Sequence, residues 1–173
     1  MCHLNLAGSI STVVSTRERF YRVYNKSYRK NNPHIPNGLM YLHFKNILKY
    51  VLSPKEIGTL KRMRDDVVKK NPDMKPIDDK HLHVTLASGL GWKKLRPKYK
   101  DATFSDPDFR IDFESPKRAE SGNSISWYAK VKQQKQFKDY VTDLLQSDPD
   151  PKRVFHVSLA NKTGKVGDSV ATI

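Results

Sequence analysis

A five-residue sequence that occurs twice constrains the fold of this chain more than any other feature. His-Val-Thr-Leu-Ala at residues 83–87 returns 73 residues later as His-Val-Ser-Leu-Ala at residues 156–160. Both copies alternate polar and apolar side chains, which is the pattern of a strand with one buried face. We therefore expect two strands that each bury a valine and a leucine and present an imidazole and a hydroxyl on the opposite face.

The segments around the two copies predict a duplicated unit. Each unit reads strand, helix, strand, at 39–44, 54–70 and 81–88 in the first and at 124–131, 133–145 and 154–160 in the second. The pattern predicts an α+β fold of two pseudo-symmetric lobes. Each lobe is expected to be a small antiparallel sheet with its own helix packed on it, with a catalytic cleft between the lobes. A length of 173 residues favours one such bilobal domain over residues 1–173.

Capping residues fix the bounds of the first predicted helix. Ser53, Pro54 and Glu56 form a capping box with proline at the first helical position, and Asn71-Pro72 ends the helix near residue 70. The side chains expected to point inward are Ile57, Leu60, Met63 or Arg64, and Val67 in this helix, and Phe137, Tyr140 or Val141, Leu144 and Leu145 in the second. Residues 109–113 alternate as a further strand, residues 89–109 are expected to be irregular, and residues 161–173 are expected to form a tail.

The charge of the chain indicates a polyanionic partner. Thirty-two Lys and Arg residues outnumber 18 Asp and Glu residues, which gives a net charge of +14. Such a surface attracts nucleic acid, nucleotides or an anionic membrane. A basic, aromatic N-terminal arm spans residues 1–35, and within it Phe20, Tyr24 and Tyr28 recur at the spacing of one helix face over residues 16–30. We interpret this stripe as a helix docked on the core.

Two features bear on the compartment. No apolar run approaches the roughly 20 residues of a transmembrane helix. A single cysteine, Cys2, cannot form an intrachain disulfide and suits a reducing, cytoplasmic setting.

Two imidazoles and two hydroxyls that converge between paired lobes suit phosphodiester chemistry. A neutral histidine accepts a proton from the nucleophile, while a protonated histidine supplies one to the leaving oxygen. These roles fall to His83 and His156, and pseudo-symmetry leaves open which of the two is the base. Thr85 and Ser158 donate hydrogen bonds to the non-bridging phosphate oxygens, where charge develops. This chemistry calls for no metal and no cofactor.

The paired His-x-Thr/Ser motifs, each on the closing strand of a repeated unit, resemble those of the two-histidine (2H) phosphoesterase superfamily. The resemblance covers about residues 38–160 and includes all four catalytic positions, which are His83, Thr85, His156 and Ser158. The superfamily includes LigT-like RNA cyclic phosphodiesterases, the exonuclease that trims U6 RNA, viral 2',5'-oligoadenylate phosphodiesterases and phage enzymes that degrade cyclic-oligonucleotide signals. The resemblance implies a phosphodiesterase for RNA ends or for small 2',3'-cyclic, 2',5'-linked or cyclic oligonucleotides. The resemblance is also compatible with a cyclising 3' exonuclease.

Residues beside the two motifs are candidates for substrate binding. They are Tyr41, Trp127 and Tyr128 as stacking partners for a base, and Asn161, Lys162 and Lys165 as phosphate ligands. Core packing explains the three aromatic residues equally well. His81 is expected on the same strand face as His83, and without an accompanying cysteine pair we interpret it as a rim histidine rather than a zinc ligand.

Other functions stay open from the sequence alone. A non-catalytic RNA-binding module would explain the charge, but it has no use for two proton-transfer groups. Metal-dependent hydrolysis is disfavoured because neither motif carries a carboxylate cluster. We expect RNA or a small oligonucleotide as partner, no membrane, and a monomer. The expected location is the cytoplasm, which is that of the host cell for a viral enzyme, or the nucleus for an enzyme of the U6-trimming type.

Overall fold

The computed structural model describes residues 23–24, 40–43, 47–99, 106–170 and 173. The described strands are β1 (Val23–Tyr24), β2 (Met40–His43), β3 (Leu48–Val51), β4 (Lys75–Pro76), β5 (His83–Ala87), β6 (Lys117–Ser121), β7 (Ser124–Lys130) and β8 (His156–Asn161). The described α-helices are α1 (Pro54–Lys70), α2 (Gly89–Leu95) and α3 (Gln134–Leu145). The protein is therefore a mixed α+β structure with two four-stranded sheets.

Two compact units divide the chain, and each is assembled from separate stretches of sequence. The first unit comprises residues 1–51, 85–109 and 134–153, and the second comprises residues 52–84, 110–133 and 154–173. The boundary between Val84 and Thr85 falls inside β5. The units thus interleave along the chain instead of following one another.

The first unit contains a sheet of order β1-β2-β3-β5, in which β1 pairs parallel to β2 and β2 antiparallel to β3. Helix α3 contributes to the core of this unit through Phe137, which is fully buried and meets the ring of Tyr50 edge-on at 5.9 Å. The predicted helix 133–145 is confirmed as α3. Of the two alternatives for one inward position, Tyr140 and Val141, it is Val141 that is buried. The sheet was expected to be purely antiparallel, and the parallel β1–β2 pair departs from that.

The second unit contains a sheet of order β4-β8-β7-β6, with antiparallel pairing throughout. Helix α1 begins at the predicted capping box, in which Ser53 Oγ accepts from the Glu56 amide and Glu56 Oε1 accepts from the Ser53 amide. This helix packs on β4 and β8, and Val67 meets Met74 and Ala160 in one buried cluster. We expected each motif strand to lie under its own helix. That expectation was wrong for α1: the next strand in the chain, β4, pairs with β8 and brings the helix to the sheet that carries the second motif.

Two expectations for the middle of the chain were also wrong. Residues 89–99 form α2 and a 3-10 turn instead of irregular chain, because fully buried Trp92 and nearly buried Tyr99 anchor them. Residues 109–113 form no strand beyond a single bridge between Phe113 and Val131. Phe109 instead packs edge-on against α3, 5.2 Å from the ring of Phe137. The alternation of apolar and polar residues at 109–113 therefore gave a wrong prediction of a strand, because Phe109 and Phe113 belong to different units.

The two ends of the chain differ from expectation as well. The predicted helix at 16–30 is wrong at Val23–Tyr24, which is a strand paired with β2, and its other residues lie outside the described ones. Backbone pairing with a neighbouring strand outweighs a helical period here. The last strand was expected to end at Ala160, but β8 includes Asn161. The expected tail 161–173 includes buried Val170, whose amide donates to Ser126 Oγ at 2.7 Å.

Candidate active site

Both motif strands show the predicted alternation of buried and accessible side chains. In β5 and the residue before it, Leu82, Val84 and Leu86 are buried, whereas His83 and Thr85 are partly exposed. At the second motif, Phe155, Val157 and Leu159 are buried, whereas His156 and Ser158 are partly exposed. An imidazole and a hydroxyl thus occupy the same face of each strand, as the sequence pattern predicted.

The two histidines also share an atomic contact that the sequence did not reveal. His83 Nδ1 lies 2.8 Å from the carbonyl oxygen of His81, and His156 Nδ1 lies 2.9 Å from that of Val154. In both cases the acceptor belongs to the residue two positions earlier. Because a carbonyl oxygen only accepts hydrogen bonds, Nδ1 carries the proton in each ring. Nε2 is then the atom that accepts a proton when either ring is neutral.

A bulge in the pairing of β7 with β8 determines which side chains accompany His156. Lys130 pairs with His156 and Tyr128 with Ser158, and the register shifts between Trp127 and Tyr128. Directly paired residues of antiparallel strands share a face. Tyr128 and Lys130 therefore lie on the face of the catalytic candidates. The ring of Tyr128 meets that of His156 edge-on, with centroids 5.7 Å apart.

The remaining aromatic candidates have other positions. Trp127 pairs with Ala160 and packs against the Val67 cluster beneath α1, on the face opposite to Tyr128. Tyr41 pairs with Lys49 in the register of β2 and β3, and its side chain lies outside the described structure. Of Trp127 and Tyr128, the two whose side chains the structure describes, Tyr128 is the one that contacts His156.

Asn161 organises the loop that follows the second motif. Its amide nitrogen donates to the Lys165 carbonyl at 2.7 Å and to Ser169 Oγ at 3.0 Å. Its amide oxygen accepts from the backbone amides of Thr163 and Gly164. These bonds use the polar groups of a side chain that is 1% exposed, so the expected phosphate contact has no free donor at Asn161.

Lys162 and Lys165 are both exposed on the loop that Asn161 holds. Lys162 lines an open cavity of about 380 Å³, to which residues at and just after the β6–β7 turn also contribute. The complete lining is Asn123, Ser124, Ile125, Lys162, Thr163, Gly167, Asp168 and Ser169. Asp168 accepts from Thr163 Oγ1 at 2.7 Å, so a carboxylate is among the polar groups of this cavity.

The segment that leads into His83 is bonded to the strand that carries His156. β4 pairs antiparallel with the end of β8, and the Ile77 amide donates to the Leu159 carbonyl at 2.9 Å. A 3-10 turn, Asp79–His81, then delivers the chain to β5. Within the second unit, five residues separate Ile77, which is hydrogen-bonded to β8, from His83.

Arg64 holds this connecting segment in place, a role for which the only sequence signal was an inward helical position. Its guanidinium is nearly buried and donates to the Ile77 carbonyl at 2.7 Å and to Asp79 Oδ1 at 2.6 Å. Burial opposes the charged form, but the bonds to Asp79 and Asp65 outweigh it, so the pKa of Arg64 is raised. The same bond from Arg64 lowers the pKa of Asp79; partial burial opposes this effect and Lys61 adds to it.

His81 was expected on the strand face beside His83, and that was wrong. It ends the 3-10 turn, its side chain is exposed, and its contribution is the backbone carbonyl that fixes the His83 ring. Leu82 N donates to the Asp79 carbonyl, and this turn displaces His81 from the strand. Among the described residues, no three His, Cys, Asp or Glu side chains are grouped so as to hold a metal ion.

Comparisons with protein-family models, with curated protein sequences and with solved structures gave no match to this chain. None of the helices that the structure describes has the length and apolar character needed to cross a bilayer.

Proposed function

We propose that the chain is a metal-independent phosphodiesterase of the 2H phosphoesterase type, in which His83 and His156 act as the acid–base pair. One observation carries the proposal. Both histidines sit on motif strands with a hydroxyl two residues further on, and both rings are oriented by Nδ1 donation to a carbonyl two residues earlier. A structural role for either histidine would not require the same tautomer and the same orientation in both motifs.

The proposed reaction needs two proton transfers on opposite sides of one phosphorus atom. Nε2 of one histidine accepts the proton of the attacking hydroxyl as its oxygen bonds to phosphorus. Nε2 of the other, protonated histidine donates a proton to the oxygen whose bond to phosphorus breaks. Attack by water on a 2',3'-cyclic phosphate opens the ring, whereas attack by a ribose 2'-hydroxyl releases the next nucleotide and leaves a cyclic phosphate.

Three groups support the charge that develops on the phosphate in this scheme. Thr85 and Ser158 supply hydroxyl donors to the non-bridging oxygens, as the motifs suggest. Lys130, paired with His156 across β7 and β8, adds a positive charge on the same face. The sequence signal for Lys130 was the two-residue period of a strand, which places it on the same face of β7 as Tyr128. The aromatic edge of Tyr128 limits the rotation of the His156 ring.

The architecture, the substrate class, the oligomeric state and the compartment expected from the sequence are part of the same proposal. We propose two pseudo-symmetric lobes that bring the two motifs to one cleft, RNA ends or small oligonucleotides as substrate, and a monomer. The single cysteine, Cys2, suits the cytoplasm, or the nucleus for an enzyme that trims U6 RNA.

A substrate panel in EDTA tests the function. The purified chain is incubated with 2',3'-cyclic nucleotides, linear 2',5'- and 3',5'-oligoadenylates and cyclic oligonucleotides, and the products are identified by mass. We expect turnover of at least one class at an undiminished rate in EDTA. Loss of turnover in EDTA with recovery on adding Mg²⁺ or Zn²⁺ would refute the two-histidine mechanism.

A further inference from the structure

A rigid basic surface follows directly behind the first motif strand. It consists of the exposed side chains Lys93, Lys94 and Lys98 on α2 and its 3-10 turn, and we call it the lysine face; the exposed Leu90 lies beside it. Leu90, Lys93 and Lys94 share one side of the helix by their three- and four-residue spacing. Residues 89–99 contain no acidic residue. Leu90 is 76% exposed, which is unusual for a large apolar side chain.

Contacts on the opposite side hold the lysine face rigidly on the first unit. Trp92 is fully buried and stacks on Tyr99, whose hydroxyl donates to the Leu145 carbonyl at 2.8 Å. Burial raises the pKa of Tyr99, so this phenol remains a donor at all physiological pH values. A side chain at Gly91 would lie 2.6 Å from the Pro149 carbonyl oxygen, so the helix backbone sits directly against that loop.

The charges of the lysine face are not neutralised by the described part of the chain. Lys93, Lys94 and Lys98 make no ion pair with any described residue. The acids nearest in sequence to Pro149 are already paired, Asp148 with Lys138 and Asp150 with Arg153. The lysine face therefore presents three exposed positive charges that are available to an anionic partner.

We propose that the lysine face binds the phosphate backbone of a single-stranded RNA that continues beyond the bond to be cleaved. That this RNA is the substrate of the chain rests on the proposed phosphodiesterase function. Helix α2 begins two residues after β5 and lies in the same unit as Thr85, so the lysine face follows Thr85 closely along the chain and is in position to bind an RNA strand that extends beyond it. The aromatic rings of this region, Trp92 and Tyr99, are buried, so binding uses phosphates rather than stacked bases and has no base preference.

Charge reversal with a matched control tests the docking surface. Lys93→Glu/Lys94→Glu is compared with Lys55→Glu/Lys69→Glu, which changes the charge equally at exposed lysines of α1 whose side chains form no ion pair with any described residue. Binding of a fluorescent 2'-O-methyl oligoribonucleotide, which the proposed cyclising reaction cannot cleave, is followed by anisotropy between about 50 and 200 mM salt. Matching thermal unfolding curves establish that both variants fold.

We expect the lysine-face variant to bind about tenfold more weakly than the control. The slope of log K against log salt should become shallower by about 1.4, at roughly 0.7 for each phosphate that is no longer neutralised. Affinity should not depend on base sequence. Equal affinities of the two variants, or no binding by the wild-type chain, overturn the proposal. Because the oligonucleotide stays intact, this result is independent of whether the chain hydrolyses any substrate in the panel.

An anionic membrane is the competing partner for a lysine-rich surface with an exposed leucine. Leu90→Ser should leave RNA affinity unchanged, since Leu90 carries no charge. Sedimentation with phosphatidylserine vesicles supplies the contrast. If Leu90→Ser and the lysine-face variant both lose vesicle binding while RNA binding is unaffected, the surface contacts lipid and the RNA proposal fails.

Discussion

At the scale of single residues, a carbonyl that fixes Nδ1 distinguishes His83 and His156 from His81, the other histidine whose side chain the structure describes. His83→Ala and His156→Ala should each lower kcat about 10²–10⁴-fold, the usual contribution of a general acid or base. The double variant should be little worse than either single one, because the two groups act as a unit. Steady-state rates on the best substrate of the panel measure these effects.

The control for this experiment is His81→Ala, which keeps the backbone carbonyl that orients His83 and removes only an exposed ring. It should be nearly as active as the wild-type chain. Thr85→Ala and Ser158→Ala should cost less than the histidine variants, because proton transfer remains. If His81→Ala were as damaging as His83→Ala while His156→Ala stayed active, a site on the first strand alone would replace the two-motif centre.

The ring of Tyr128 gives a second prediction at this scale. Its edge-on contact with His156 depends on the aromatic ring and not on the hydroxyl. Tyr128→Phe should therefore keep nearly full kcat, whereas Tyr128→Leu should lower kcat while changing KM little, because the imidazole loses a fixed orientation. Kinetics of the two variants measure this split. A large loss in Tyr128→Phe would instead assign the hydroxyl a direct role with substrate.

At the scale of elements, the segment between α1 and β5 is the part of the fold that sets the position of His83. Arg64→Met leaves the Ile77 carbonyl without its donor, and it should destabilise the chain by about 1–3 kcal/mol. Arg64→Lys keeps the charge and one of the donors, so it should recover part of that loss. Urea unfolding measures both, and equal stability of Arg64→Met and wild type would contradict the role of Arg64.

The Arg64–Asp79 pair also predicts a dependence of stability on pH. The pKa of Asp79 is lowered in the folded chain, so its contribution is complete above the ordinary carboxyl pKa and is lost as pH falls through the lowered value. Asp79→Asn should therefore flatten the fall in stability below about pH 4, the ordinary pKa range of an aspartate. Unfolding midpoints measured from pH 6 to pH 2 test this, with Asp66→Asn, a carboxylate on exposed α1 surface, as control. Parallel curves for the two variants would exclude Asp79 as a source of acid sensitivity.

At the scale of the whole molecule, the two units interleave, and this changes what can fold alone. The first repeat, residues 38–88, contains α1, but the cluster that buries Val67 and Met74 includes Ala160 of β8. An isolated fragment of residues 38–88 should therefore lack a core and show no cooperative unfolding by circular dichroism. The full chain serves as the control. A fragment with a sharp thermal transition would show that the repeat is an independent lobe after all.

Features that depend on near neighbours in the chain could be predicted from the amino-acid sequence. The capping box at Ser53, the bounds of α1 and the burial of Val84 and Val157 follow from local hydrogen bonding and from the two-residue period of a strand. The same period placed His83 and His156 on the accessible face of each motif. These predictions hold because their physical causes act within a few residues.

Which surfaces meet one another became clear from the folded chain alone. Helix α1 packs on β8 instead of on the strand of its own repeat, and residues 89–99 become helical because Trp92 and Tyr99 find a buried site. The shift in β8 pairing sends Trp127 to the helix and Tyr128 to His156. Periodicity tells which side of an element is apolar, but every apolar face fits several partners. The choice among them depends on shape and pairing between residues far apart in sequence, which no local pattern records.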